Sequence, residues 1–510
     1  KLSGLTTDPP TIKPSPIYPA EDLNKFFCRY EKTDPTKPKP NHTNPHTPLS
    51  DIPETDVLMQ LRRLNPRKGP GPDGILPKLI KLCAYQLAPV LTGIFNCSIQ
   101  QGEVPSIWKT AEIRPLPKVS KPKQLKDYRP IALTSCLCKS LERLIKSYIT
   151  TNTVSDALQF AYKSHRSTQD AVLQLASYVT KFIDARAGNH SRCLFLDFSS
   201  AFNTICVAKL VEKLTHLDPN VTSWISSFLT DRTQYTKFDS DCSRRMTTNT
   251  GTPQGTVLSP LLFSIYTDFI TSATSNVTVL KYADDTVIIG NIQSDSDFML
   301  YQEEVNRICI LCNNSDLLLN PTKTHEMIFT TSRDPPVFPQ VFIDNCAIET
   351  TDDVLYLGVH IDSKLRFSKQ ATSVESKCRQ RMYILKRFAF YGASEQLLCQ
   401  LFRSFIESCL LYCLPVYFNN LFDYDKKALR KIYPIANSYG ALVGTLDNRI
   451  SERFKRYCML LLHDDDHPFH DFISKLPSGR LCAYKSRCAC GSNSFIRHYI
   501  NFINTVIAGS

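Results

Sequence analysis

A chain of 510 residues is too long for one hydrophobic core and points to two to four packed subdomains, for which 42% hydrophobic and 10% aromatic residues supply the material. The net charge of +12 is concentrated: residues 61–130 carry 13 Lys/Arg against 4 Asp/Glu, and residues 371–460 carry 14 against 7. Ordinary solvation would spread charge more evenly, so these blocks point to a polyanionic partner such as nucleic acid.

Residues 1–50 hold ten prolines and few apolar runs, which reads as a flexible lead-in. DVLMQLRRL then has helical apolar spacing, and RKGPGPDGI is a Gly/Pro turn lacking the Lys-Ser/Thr ending of a phosphate loop. The helix LPKLIKLCAYQLAPVLTGIFNCSIQQG follows. Residues 110–134 predict two short strands joined by a lysine-rich loop, with a helix from about Ser135 to Thr150. Strands are expected at CLFLDF, VTVLKYA, TVIIG, HEMIFT and VFID, with helices VAKLVEKL and SPLLFSIYTDFITSA between them, and helices from about Gln370 onward.

Nineteen cysteines, an odd count without a small-domain framework, predict free thiols in a reducing compartment. The pairs Cys309/Cys312 and Cys488/Cys490 lack a second pair at zinc spacing. No secretory signal is visible, and the longest apolar stretch, LFRSFIESCLLYCLPVYF, is interrupted by Arg403 and Glu407, so no membrane partner is expected. The expected location is intracellular, nuclear or cytoplasmic or both.

Two acidic features stand out. LFLDFSSAF is an apolar strand ending at Asp197, where a carboxylate sits at the rim of a sheet or serves as a helix N-cap. LKYADDTVIIG reads as two strands with Asp284 and Asp285 at the bend, which also suits a solvated turn. If one sheet brings the two sites together, three rim carboxylates suit a pair of hard divalent cations about 3.5–4 Å apart, the arrangement for in-line phosphoryl displacement.

The ordered blocks KGPGPDGI, PLPKVSKPKQLKDYRPIAL, QFAYKSHRSTQDAV, LDFSSAF, GTPQGTVLSPLLF, YADD, LLLNPTKT and YLGVHID resemble the reverse transcriptase of non-long-terminal-repeat (LINE-type) retrotransposons, in particular a jockey-like group, over about residues 55–365. The resemblance implies an α+β right-hand polymerase: an N-terminal extension and fingers at 51–184, a palm on an antiparallel sheet with helices at 185–365, a helical thumb at 366–435, and a C-terminal basic helical region at 436–510. It implies that Asp197, Asp284 and Asp285 hold two Mg²⁺ ions, with Mn²⁺ a substitute. It further assigns Phe202 as the steric gate that excludes a 2′-hydroxyl, Gln254 and Gly255 to the nucleotide side, and Arg129 and Lys118 to the triphosphate. Lys323 is implied as proton donor to pyrophosphate, and Lys68, Arg166, Lys377 and Arg381 as nucleic-acid contacts.

The implied partners are template RNA, primer DNA and dNTPs, with an endonuclease domain or protein supplied elsewhere, since only about fifty residues precede the polymerase blocks. The implied reaction is RNA-directed DNA synthesis, target-primed; a decayed or co-opted copy that only binds nucleic acid is the alternative. An RNA-dependent RNA polymerase is opposed by Phe202. Asn203 and Thr256 differ from common relatives without touching a ligand position. HDDDHPFH, residues 463–470, reads as a solvated loop, not a metal site.

Overall fold

The computed structural model describes residues 18–31, 48–332, 337–478, 480–482 and 486–509. Residues 1–155, 200–268 and 314–318 form one compact unit; residues 156–199, 269–313 and 319–510 form a second. Each mixes helices with sheets, an α+β architecture. All nineteen cysteines are free thiols.

In the first unit, strand Tyr128–Leu133 pairs antiparallel with Thr110–Pro117, which runs parallel to Arg232–Phe238. Alternation sends Ala111 and Ile113 inward, where they meet Tyr128, Ala132, Leu23 and Phe27. The last two belong to helix Ala20–Phe27, a turn of order inside the stretch read as lead-in; residues 1–17 and 32–47 of that stretch lie outside the described residues. Its Ala20 N–H donates to Asp241 Oδ2 at 2.7 Å. The expected long helix after the Gly/Pro turn is two, Pro77–Leu82 and Ala84–Gln100, broken at Cys83. Helix Cys136–Asn152 starts where Ser135 accepts the N–H groups of Leu137 and Cys138.

The second unit is built on a five-stranded sheet in the order Glu349–Thr350, His325–Thr330, His190–Leu196, Asp285–Ile292, Val277–Tyr282. The central strand His190–Leu196 is antiparallel to both neighbours and buried along nearly its whole length, which explains the unbroken apolar run CLFL. Arg192 on this strand donates twice to Glu326 on the next, both contacts 2.7 Å and both side chains essentially inaccessible. Helix Asp295–Asn314 presses Tyr301 onto Gly290, so closely that any Cβ there would overlap the ring.

Beyond the sheet, helix Ser368–Phe390 buries Ala371, Val374, Cys378, Met382 and Leu385 at helical spacing and leaves its charged side chains outside. Among the described residues no single helix is long and apolar enough to cross a membrane; helices Glu395–Leu410 and Leu414–Asn420 form a bent pair, and Leu398, Phe402, Ile406, Leu410 and Leu414 are buried in the core of their unit.

The expected solvated loop at 463–470 holds for its first half, where His463, Asp465 and Asp466 are exposed, while residues 467–469 are buried in the second unit. His467 is 3% exposed, accepts the Phe469 N–H at Nδ1, and faces Asp170 with Nε2 at 3.4 Å. His470 donates to the carbonyls of Leu461 and Asp464. Polarity concealed the buried part, because His467 and His470 face partners inside the fold.

Candidate active site

The acids meet through strand register. Leu196 lies opposite Thr286, and Tyr282 opposite Asp285 across a two-residue hairpin loop. One further step along the antiparallel register sets Asp197 beside Asp285. Segment 319–324 holds Asp197 from the other side: its N–H donates to Thr324 Oγ1 at 3.3 Å, its carbonyl accepts from Asn320 at 2.9 Å, and Phe198 bridges Leu319. Lys323, exposed, brings Nζ to 3.8 Å from Asp197 Oδ2.

The electrostatics show that the carboxylates are close. Asp285 is pushed up to about 6, first by the surrounding protein, then by Asp284 and by Asp197. The Tyr162 hydroxyl is pushed up to about 12 by burial, then by Asp284, Tyr282 and Asp285. Among the described residues no three His, Cys, Asp or Glu side chains close into a ready metal cage. Three hard oxygen donors at an open rim, whose mutual repulsion a cation relieves, fit Mg²⁺, which is held by few carboxylates plus substrate phosphates.

The hairpin is held by a strap from the block in which Arg166 is implied as a nucleic-acid contact. In QFAYKSHRST, Gln159 forms a parallel bridge with Lys281, and its Oε1 accepts the N–H groups of Ala161 at 3.0 Å and Ala283 at 3.2 Å. Phe160 N–H donates to the Lys281 carbonyl and Lys281 N–H to that of Leu158, each at 2.9 Å. Lys281, 1% exposed, pairs through Nζ with Asp156 at 2.9 Å. Ala283 has φ +58°, unusual for a residue with a Cβ, so the hairpin needs such outside support. Gln159 and Lys281 were missed; the available signal was a lysine inside an otherwise apolar strand. Arg166 in the same block turns to Asp464 and donates to the Asp466 carbonyl at 3.2 Å. A contact with nucleic acid would have to displace that ion pair.

The residues that the family resemblance assigns to the nucleotide lie in the first unit. Phe202 sits on a short turn, Ala201–Asn203, with its ring stacked on Phe263 at 4.5 Å. Its carbonyl accepts the Thr252 N–H at 2.8 Å, which ties it to the turn 251–258. In that turn Gln254 donates through Nε2 to Asn203 Oδ1 at 3.4 Å, and its carbonyl accepts the Ala132 N–H at 2.6 Å. Gly255 has φ +127°, and a Cβ there would lie 2.5 Å from the Ala132 carbonyl oxygen. Glycine is required by both conformation and space.

Arg129, exposed, is on the same strand as Ala132. Lys118 donates to the Lys126 carbonyl at 2.9 Å, closing the lysine-rich loop on itself. Lys68 is exposed near the Gly/Pro turn. In the second unit Lys377 is exposed on the long helix, while Arg381 donates to the Phe405 carbonyl at 2.5 Å and lies over its ring. The structure thus gathers Asp197, Asp284, Asp285 and Lys323 in one unit and Phe202, Gln254 and Gly255 in the other, and leaves Lys68, Arg166, Lys377 and Arg381 outside both groups.

Residues 117–361 match the family model described as "Reverse transcriptase (RNA-dependent DNA polymerase)". The chain is 26% identical to the RNA-directed DNA polymerase from mobile element jockey of Drosophila melanogaster, over 76% of this chain and 44% of that protein. It is equally 26% identical to the probable RNA-directed DNA polymerase from transposon BS of the same fly, over 66% and 39%. The Pol polyprotein from type-1 retrotransposable element R1 of Bradysia coprophila is 23% identical over 75% and 38%. The chain therefore spans about two fifths of the length of these curated relatives. Residues 117–361 thus match a reverse transcriptase domain, and the chain is similar to the RNA-directed DNA polymerases of the jockey, BS and X-element transposable elements.

Proposed function

We propose that this chain is an RNA-directed DNA polymerase that extends a primer 3′-hydroxyl with deoxynucleotides by a two-metal mechanism, in target-primed reverse transcription with the nick made by an endonuclease activity. The observation that carries the reading is the register that sets Asp197 beside the Asp284–Asp285 hairpin, where burial first, and then the Asp284 and Asp197 charges, raise Asp285 to about 6. Its support from relatives is that the matched proteins are named RNA-directed DNA polymerases.

In this reading Asp197, Asp284 and Asp285 hold two Mg²⁺ ions, which when bound stabilise the attacking and leaving oxygens of phosphoryl transfer. The chain's own side chains do the rest. Arg129 and Lys118 take the triphosphate, Arg129 with a fork that matches phosphate oxygens. Phe202 lies under the sugar and excludes a 2′-hydroxyl. Gln254 and the bare backbone of Gly255 border the nucleotide. Lys323 carries a proton toward the departing pyrophosphate. Lys68, Lys377 and Arg381 contact phosphates without reading sequence, as does Arg166 once released from Asp464. Fingers, palm and thumb correspond to residues 51–184, 185–365 and 366–435, with 436–510 a C-terminal helical region.

The test is primer extension on an RNA template with dNTPs and Mg²⁺, run beside Asp284→Ala. Incorporation by the wild-type chain and none by the variant is expected. Equal incorporation by both, or none by either, ends the reading.

A further inference from the structure

Glu142 sits on helix Cys136–Asn152 among Cys138, Leu141, Ile145 and Ile149, on the buried stripe, and is 0% exposed. A carboxylate is rarely buried this fully unless it is paired. Its Oε2 accepts the N–H of Val257 at 2.6 Å and of Leu258 at 3.0 Å. These two residues end the turn that begins at Gly251 and lead into helix Ser259–Tyr266. Burial pushes the Glu142 carboxyl up, and the two amides, then Arg232, 3% exposed, and Lys139, counter only part of that.

The turn is pinned at three places. At its start, Thr252 N–H donates to the Phe202 carbonyl, and Gly251, at φ +80°, leaves no room for a Cβ against Phe202 and Asn203. In its middle, the Gln254 carbonyl accepts the Ala132 N–H and Gly255 packs against the Ala132 carbonyl, three residues beyond Arg129 on one strand. At its end Glu142 takes both amides. A buried carboxylate is a costly device for ending a turn, and the residues this turn aligns are those assigned to the incoming nucleotide.

We infer that Glu142 is a positioning residue: by accepting the Val257 and Leu258 amides it fixes the 251–258 turn, and through it the placement of Gln254, Phe202 and the Arg129 strand around the nucleotide. This rests on the polymerase reading above for its consequence, though not for its geometry. Loss of a charged acceptor under two buried amides loosens the turn. Gln retains a carbonyl oxygen that can accept one of them, so Glu142→Gln is expected to fall between wild type and Glu142→Ala.

The experiment pairs hydrogen–deuterium exchange of the full chain with steady-state dNTP and rNTP incorporation, for wild type, Glu142→Gln and Glu142→Ala. Expected are faster exchange at residues 255–258 in Glu142→Ala with strands 110–117 and 128–133 unchanged, a dNTP KM raised about tenfold against a smaller change in kcat, weaker rejection of rNTPs, and intermediate values for Glu142→Gln. Unchanged exchange in the turn, or loosening spread evenly over the unit, overturns the inference. If Glu142→Ala does not fold, Glu142→Gln against wild type decides by the same exchange readout. Absence of extension by the wild-type chain sinks the polymerase reading instead, while the exchange comparison still decides the role of Glu142.

Discussion

Two turns carry the chemistry assigned to this chain, and they are held in opposite ways. The hairpin 282–285 puts Ala283, a residue with a Cβ, at φ +58° and crowds like charges at its tip. The turn 251–258 uses glycine at both positions of positive φ and packs them against backbone. One turn is intrinsically strained and depends on a strap through Gln159; the other is intrinsically relaxed and depends on space being kept empty. On the proposed reading, charge meant to receive a cation is uncomfortable without it, whereas a surface meant to meet a nucleotide's shape is rigid.

The largest effect separates activity from stability at the hairpin. Asp284→Asn is expected to lower single-turnover extension by about a thousandfold or more, since several kcal/mol of charge stabilisation are lost. Its melting temperature should stay level or rise, because repulsion on Asp285 is relieved; a clear fall would contradict the picture of a self-repelling tip.

Gly255→Ala should damage both properties. The added Cβ meets the Ala132 carbonyl oxygen in a conformation hostile to L-residues, costing about 2–4 kcal/mol in urea unfolding. A variant as stable as wild type would show that the strand at Ala132 gives way.

Gln159→Ala tests the strap. It strips a shared acceptor from the Ala161 and Ala283 amides, for a loss of about 1–3 kcal/mol and slower extension without a change in RNA affinity.

A pH series probes the anchoring of the same strap. The Asp170 carboxyl stays below its usual range: burial pushes it up, but hydrogen bonds with His467, Ser167 and Tyr457 outweigh that. A depressed carboxyl contributes stability that is complete above its unfolded pKa of about 3.9 and is lost as pH falls through the folded value. The gap in urea midpoint between wild type and Asp170→Asn should therefore narrow as pH drops from 6 toward 3.

The smallest effect is Ala283→Gly. Relief of left-handed strain, about 1 kcal/mol, is offset by the extra freedom of glycine in the unfolded chain, so stability should change by less than about 1 kcal/mol. That near-silence beside the damage from Gly255→Ala is the comparison in its sharpest form.

Much of this was legible in sequence, for definite reasons. An apolar run that stops at Asp197 and a strand–Asp–Asp–strand pattern announce carboxylates at strand ends, and the predicted pair of strands around the lysine-rich loop matches Thr110–Pro117 and Tyr128–Leu133. What periodicity cannot report is which strands become neighbours, so the meeting of Asp197 with Asp285, 88 residues apart, rests on strand register. Nor does composition separate a solvated polar residue from a satisfied buried one. His467, read as part of a solvated loop, is buried against Asp170, and Arg166, read as a nucleic-acid contact, pairs with Asp464. Glu142 left a trace, a lone acid at an apolar helical position.

The central claim is that Asp197 and the hairpin acids form one metal site. It is tested most directly by counting Mn²⁺ by electron paramagnetic resonance on the full chain with a chain-terminated primer, RNA template and dNTP. The account expects two ions per chain for the wild type and, for Asp197→Asn, fewer ions or binding weakened at least tenfold. Equal numbers bound with equal affinity in both proteins would contradict it.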